Sequence, residues 1–383
     1  MITKKTARLS AVRVGLACCL AFLTACDRQI AAFSIEEAPT MQPSTALTTR
    51  CIGRYLIDLP SNLVLSSLGG ETIDGVSLWV TPATAAEYKK VLARRTAELT
   101  AAVVSRKGVE YPALRKTVPL PAGTDGVLFD FAKLNGSGGR MDRVLEVLEW
   151  RDGYLLKAEV GGSDTTFPEE KDNVTLHTHV KTDVAEKTRL IIDVVSRTSG
   201  RTDIEIPPQQ GVCVVNGFVR GAPTSGESVG AIYEFAKIDN FYMRVASTSL
   251  SRGKNTILDR IEITRPLIEK SKGKIFRKTK RNVGGMNGYE VAYSMLTDED
   301  ATRGRIMFDR FDFELNSAEG SARKPRLMVE LSNGEPGDSD EEDEEGKIEE
   351  SVMVLKPAPL STAAVESMWD MIILTIRPRP NAF

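Results

Sequence analysis

The sequence is poor in the residues that most enzymes work with. It has two histidines, His177 and His179, in 383 residues. In a strand they would share one face, but two ligands are too few for a typical zinc site, so an exposed loop or edge strand accounts for them. The chain lacks a P-loop, a dinucleotide-binding glycine fingerprint and a His-Glu-x-x-His pattern. Gly226-Glu227-Ser228-Val229-Gly230 fits the G-x-S-x-G spacing of a hydrolase nucleophile. That motif needs its Ser between a strand and a helix, with a His later in the chain. Here strand-like sequence follows Ser228 and no His follows His179. A catalytic constellation is therefore not expected, nor a cofactor, a metal or a small-molecule substrate. Lys and Arg number 50 against 52 Asp and Glu, which gives no global attraction to nucleic acid.

The first residues carry the clearest pattern. Lys4, Lys5, Arg8 and Arg13 precede an apolar run from Val14 to Ala25, with no acidic residue among them. The run is short of the ~20 residues of a bilayer-spanning helix. A basic start and a short apolar run read as a secretory signal that is removed on maturation. The run ends in Leu23-Thr24-Ala25-Cys26, the lipobox pattern of bacterial lipoproteins, in which small residues admit the peptidase and the Cys takes the lipid. Cys26 is thus the expected lipidation site, and residues 1–25 the signal peptide. Asp27 resembles the acidic signal that retains enterobacterial lipoproteins at the inner membrane. The expected location is the periplasm, lipid-anchored to the inner membrane.

Removing 25 of 383 residues leaves 358, enough for two domains of ordinary size. Losing four signal cations takes the formal charge from −2 to about −6. Of the five cysteines, Cys18 and Cys19 leave with the signal and Cys26 is acylated. Cys51 and Cys213 remain, and in an oxidising compartment such a pair points to a disulfide. Two separate buried thiols are the alternative.

Residues 26–48, rich in Ala, Pro, Thr and Ser, read as a flexible tether. Beyond it the expected order is strand, helix, several strands, helix, given twice. Cys51 to Leu59 reads as one strand closed by Pro60, and Gly75 to Val80 as another. Thr84-x-x-Glu87 is a capping box opening a helix to about Val104, with Tyr88, Leu92, Leu99 and Val103 on its apolar face. Strands follow at 126–134, 143–151 and 154–160, with a turn at Asn135 to Gly139 between the first two. Asp183-x-x-Glu186 caps a helix that turns Leu190, Ile191, Val194 and Val195 inward. Pro207-Pro208 then breaks the pattern.

In the second half, strands are expected at 213–220, 229–237, 241–248, 274–281, 288–296, 305–315 and 326–331. A helix begins near Asn255 and is expected to kink or end at Pro266. A last helix from Thr362 would bury Val365, Trp369, Ile372 and Ile376. The expected fold class is α+β: two similar domains, 49–205 and 211–383, each a mainly antiparallel sheet with two helices. Cys51-Ile-Gly53-Arg54 is matched by Cys213 and Gly217, Gly123 and Gly126 by Gly285 and Gly288, and Arg197 by Arg377. These marks read as an internal duplication. Packed about a pseudo-twofold axis, the copies would bring Cys51 near Cys213.

Asp338, Asp340, Glu341, Glu342, Asp343, Glu344 and Glu345 form an acidic run within residues 338–350. Like charges repel and stay solvated, so the run reads as a loop; a contact for a basic partner or a weak divalent-ion site is the other reading. Lys272 to Arg281 is an opposing basic stretch.

Four motifs, taken in order, resemble one known family. They are Thr49-Arg-Cys51-Ile-Gly53-Arg54-Tyr55-Leu-Ile-Asp58-Leu-Pro60, then Gly211-Val-Cys213 with Gly217-Phe-Val-Arg220. Gly284-Gly285-Met-Asn-Gly288-Tyr-Glu290 follows, and the Trp369 helix with Arg377-Pro-Arg-Pro380 completes the set. The family is the Tli-type immunity proteins against phospholipase effectors of type VI secretion. The resemblance implies a two-domain periplasmic protein that grips a secreted lipase between its domains and blocks its lid or substrate access. Its partner would be that effector, contacted in the cleft between domains with the acidic loop at the rim. A structural or assembly lipoprotein of the envelope is the alternative.

Overall fold

Hairpins, not single strands, begin each half of the chain. The computed structural model describes residues 44–66, 71–121, 124–135, 139–168, 178–236, 238, 240–250, 253, 255–296, 306–317, 320–334 and 358–383. The first half contains β1 (Leu47–Ile52), β2 (Tyr55–Pro60), β3 (Leu63–Ser66), β4 (Glu71–Ile73), β5 (Val76–Pro82), helix α1 (Ala85–Ala101), β6 (Val103–Arg106), β7 (Val109–Pro112), β8 (Leu114–Pro119), β9 (Asp125–Ala132), β10 (Asp142–Arg151), β11 (Tyr154–Ser163), α2 (Val184–Arg197) and β12 (Thr198–Gly200). The second contains β13 (Gly211–Val214), β14 (Gly217–Arg220), β15 (Glu227–Phe235), β16 (Phe241–Thr248), α3 (Ile257–Lys270), β17 (Lys274–Val283), β18 (Met286–Leu296), β19 (Met307–Leu315), β20 (Arg326–Asn333), α4 (Thr362–Ile373) and β21 (Arg377–Pro378). The fold is mainly antiparallel β, with these four helices among the described residues.

The expected strand over Cys51 to Leu59 is split into β1 and β2 by Gly53, at φ +59°. A Cβ there would meet the Cβ of Ser247 at 2.7 Å, so glycine fits and larger residues do not. The second segment turns likewise at Val215-Asn216, with Asn216 at φ +53°.

Twelve strands form a continuous antiparallel run in the order β17-β18-β19-β20-β16-β15-β4-β5-β11-β10-β9-β8, and β3 also pairs with β15. The halves therefore share one sheet, where separate sheets were expected. They meet where β15 pairs with β4 through Glu227–Ile73 and Ser228–Thr72. Joining there covers two edges that would otherwise expose unpaired backbone groups. From that seam outward the strand order is the same in both directions. The short closing strands cross over: β12 pairs with β14 of the second half, and β21 with β2 of the first.

Alternation along the strands separates two faces. One carries the main core. Ile191, Val194 and Val195 of α2, Val365 and Trp369 of α4, and the hairpin residues Ile52, Ile57, Val212 and Val219 pack there on Leu78, Val147, Val245 and Phe311. Trp369 is fully buried and its Nε1–H donates to Glu290 Oε1 at 2.6 Å. On the other face, α1 packs Tyr88 and Leu99 on Phe129, Phe131 and Leu148. There α3 packs Ile261 and Ile268 on Val291.

The helices keep most of the expected inward residues. The Thr84 capping box forms, Thr84 N–H donating to Glu87 at 2.7 Å. But α1 stops at Ala101, and Val103 lies 57% exposed in β6. Asp183 precedes α2 without capping it; its carboxylate accepts from Ser163 N–H at 2.7 Å instead, tying the helix to β11. The third helix runs through Pro266 to Lys270. Both Pro266 and Glu262 are exposed, so water can take the carbonyl that Pro266 leaves without a donor, while Ile261 and Ile268 hold the helix down. Ile376 is buried beyond the end of α4, not within it.

The two hairpins touch at the centre of the molecule. Gly53 and Cys213 exchange backbone hydrogen bonds of 2.9 and 2.8 Å. Beside this bridge Cys51 and Cys213 form a disulfide, with Cα atoms 5.8 Å apart. The bond closes a loop across 162 positions, which in the chain-entropy model stabilises by about 5 kcal/mol. The protein denatured without reductant should therefore show no free thiol at Cys51 or Cys213. The Cys51→Ala, Cys213→Ala double variant should unfold at markedly lower denaturant. Two reactive thiols in the unreduced chain would contradict the pairing.

Candidate partner-binding face

Of the residues that the sequence singles out, Cys51 and Cys213 are brought together. Cys26, Asp27, His177 and the acidic run Asp338, Asp340, Glu341, Glu342, Asp343, Glu344 and Glu345 lie outside the described residues. His179 is exposed. Ser228 sits at the start of β15 with a strand after it, so the G-x-S-x-G spacing is a strand entrance. Its neighbour Glu227 has the structural role. Glu227 is buried and binds Arg54 through two hydrogen bonds, Arg54 Nε to Oε2 at 2.9 Å and Nη2 to Oε1 at 2.6 Å.

Two further arginines close the seam, each just after a crossed-over strand. Arg201, which follows β12, donates to Gly217 O at 2.9 Å and Cys51 O at 2.8 Å. Arg379, which follows β21, donates to Pro207 O at 2.5 Å, Gln209 O at 2.8 Å and Gly211 O at 2.6 Å. Burial, reinforced by Arg54 and Arg201, pushes Arg379 down to about 10. The space left beside the disulfide is about 10 Å³. The seam is thus filled beside the disulfide.

The opposite side of the seam is different. There α1 and α3 cover the outer strands, and the central strands turn a polar and aromatic row outward. Trp79, Lys157 and Glu159 come from β5 and β11, Ile232 and Glu234 from β15. Tyr242 and Arg244 follow on β16, and Met328 and Glu330 on β20; all are half-buried except Arg244, which is exposed. Each half sets a cation against an aromatic ring. Lys157 Nζ lies 4.9 Å from the Trp79 ring centre. The Arg310 guanidinium lies 5.8 Å from that of Tyr242 and donates to its hydroxyl at 2.7 Å. Aromatic and arginine side chains that are held in place in this way are the kind enriched at binding hot spots.

Carboxylates flank both cations. Lys157 is 2.9 Å from Glu159 and 3.9 Å from Glu146, and Arg95 grips Glu146 at 2.9 and 3.0 Å. Burial pushes the Glu146 carboxyl up, against the pull of Arg95. Arg310 lies 2.5 Å from Glu330 and 3.3 Å from Asp312. Burial opposes the charge of Arg310, but Asp312, Glu330 and Tyr242 together hold its pKa above the ordinary value. The Asp312 carboxyl is pushed up to about 6, chiefly by burial and further by Glu330, with Arg310 acting the other way. No group of three or more ligand-type residues suited to a metal ion occurs among the described residues.

The shift at Asp312 gives a pH dependence. A carboxyl whose folded pKa is raised holds a proton that the unfolded chain has lost. Stability therefore falls as pH rises between about 4 and 6, at no more than ~1.4 kcal/mol per pH unit. Asp312→Asn should remove that component, so the variant gains on the wild type across this interval in denaturant titrations at stepped pH. A difference independent of pH would show that Asp312 is ionised throughout.

Residues 48–201 match the model of the Tle cognate immunity protein 4 N-terminal domain, and residues 205–381 that of its C-terminal domain. Among solved structures, the fold is similar to a chain of the Tle4–Tli4 complex, at 19% identity and TM-score 0.63. It is also similar to the apo immunity protein TplEi of the type VI secretion system from Pseudomonas aeruginosa, at 18% and 0.61, and to TplEi complexed with "L" peptide, at 17% and 0.58. Each likeness covers 88% of this chain and 99% of the other. No curated protein sequence matches the chain. With both domain models matched in order, the chain belongs to the Tle cognate immunity protein 4 family, whose members are immunity proteins and not enzymes.

Proposed function

We propose that this protein binds and neutralises a phospholipase effector of a type VI secretion system. It does so on the open face of its sheet, gripping the effector across the two halves and blocking its lid or substrate access. The observation that carries the reading is the match of both immunity-domain models, in order, over 48–201 and 205–381. A fold relative has been solved in a complex of Tle4 with Tli4. The open face supports the location, since it offers ordered aromatic and charged anchors across the seam. Specific, stable protein–protein interfaces bury roughly 1,600 Å² in total, and the outward-facing residues of this side come from strands of both halves.

The same reading places the protein in the periplasm, acylated at Cys26 and held at the inner membrane through Asp27. The supports are the basic, then apolar, start and the Leu23-Thr24-Ala25-Cys26 lipobox. Two acyl chains make such an anchor durable. We read residues 26–48 as its tether, 49–205 and 211–383 as duplicated immunity domains, and the acidic run 338–350 as a rim contact for the effector. The strand order that repeats outward from the seam supports the duplication.

Co-expression tests the function. Cells making the lipase encoded beside this gene, directed to the periplasm, should lyse without this protein and grow with it, and the two should co-purify. No rescue and no binding would refute the reading. For the anchor, Cys26→Ser should move the protein from the membrane to the soluble periplasmic fraction. Unchanged fractionation would refute lipidation.

A further inference from the structure

The last seven residues of the chain, 377–383, touch both halves at the seam. On the first half, Arg377 pairs with Leu56 and Pro378 with Tyr55. The Arg379 amide donates to Arg54 O at 2.9 Å, and Ala382 O accepts from the Arg54 guanidinium. The Phe383 ring lies edge-on to that of Tyr55, 6.0 Å between centres. On the second half, the Arg379 guanidinium holds the carbonyls of Pro207, Gln209 and Gly211. Asn381 Nδ2 donates to Pro208 O at 3.3 Å. Arg379 and Ala382 are buried.

This segment is built to separate from the rest. Its counterpart β12 is held at both ends, since it follows α2 directly and leads on into the second half. The segment begun by β21 ends the chain, and a chain end stays ordered only where it is tied down. The backbone ties are few. β21 pairs over two residues, and Pro378 and Pro380 have no N–H to give. The same prolines keep the segment extended when it is detached, which lowers the entropy lost on return. The seat of Arg379 is costly as well. Among the described residues it donates to carbonyls and to no carboxylate, and its Nε has no acceptor. The charged groups acting on it are the cations Arg54 and Arg201. A buried charge without an opposite partner is strongly unfavourable. Arg54, by contrast, is paired with Glu227.

We propose that residues 377–383 are a strap that opens and closes over the seam while the rest of the fold stays intact. The hinge follows Ile376, whose side chain is buried in the main core. Closed, the strap ties β2 of the first half to the lead-in of β13 in the second. Open, it leaves the halves joined by the Gly53–Cys213 bridge, the Cys51–Cys213 disulfide and the pairings β15–β4 and β12–β14. The disulfide therefore keeps the two hairpins in contact through each opening.

Hydrogen exchange at single amides of the whole, oxidised protein tests the strap. Protection of the Arg379 amide should be at least about 100-fold lower than that of the Gly53 and Cys213 amides, because local opening takes less free energy than global unfolding. Phe383→Ala removes the aromatic contact with Tyr55 from the free end of the chain. It should lower protection at Arg379 by a further factor of about ten, the scale of a lost aromatic pair, and leave Gly53 and Cys213 unchanged. An Arg379 amide as protected as those of Gly53 and Cys213 in the wild type would overturn the proposal. So would a Phe383→Ala protein in which all three amides lose protection equally, since the segment would then open only with the whole fold.

Discussion

Everything in this fold is arranged around the contact between two hairpins. Gly53 and Cys213 exchange two backbone hydrogen bonds, and the Cys51–Cys213 disulfide fixes that contact covalently. The arginines act on the same point. Arg54 is locked to Glu227 at the start of β15, and Arg201 and Arg379 bind carbonyls of the hairpin segments. A buried ion pair adds little net stability beside a hydrophobic alternative, but losing one member of it is costly. Its clearer effect here is geometric: it holds β15 against the first half, so that β15 and β4 pair and one sheet spans both halves.

That constraint decides which surface is free to work. With the hairpins, α2 and α4 on one face, the main core is closed and the seam retains almost no space. Among the described residues, the other face carries helices only over its outer strands. Its centre holds Trp79 with Lys157 and Tyr242 with Arg310, each fixed by carboxylates that limit its freedom. Ordering these side chains before a partner arrives lowers the entropy lost on binding. The shared sheet also keeps the two halves in fixed register, which suits the proposed grip on one partner by both.

Local signals made much of this legible in the sequence. Period-two alternation located β16 at its observed limits, and the Thr84-x-x-Glu87 box set the start of α1. The cysteine count pointed to the disulfide, because the expected export signal and lipidation site would take the other three. Non-local pairing was not legible. The Asn216-Gly217 hairpin signal was overridden by the continuous apolar run around it, as was Gly53, so each hairpin read as one strand. The crossing of β12 and β21 to the opposite hairpins involves strands of three and two residues, too short for any periodicity. Glu227 looked like part of a nucleophile motif because its partner Arg54 lies 173 positions away. The open face was hidden for the same reason: its side chains come from strands scattered over the whole chain and share no local pattern.

Hydroxyl-radical footprinting of the protein with and without its cognate effector tests the central claim most directly, since it reads the reactivity of single aromatic, methionine and leucine side chains. Effector binding on the open face predicts protection of Trp79, Tyr242 and Met328, drawn from both halves, with the exposed Leu374 beside α4 unchanged. Protection at Leu374 with Trp79, Tyr242 and Met328 unaffected would place the partner on the opposite face and contradict the account.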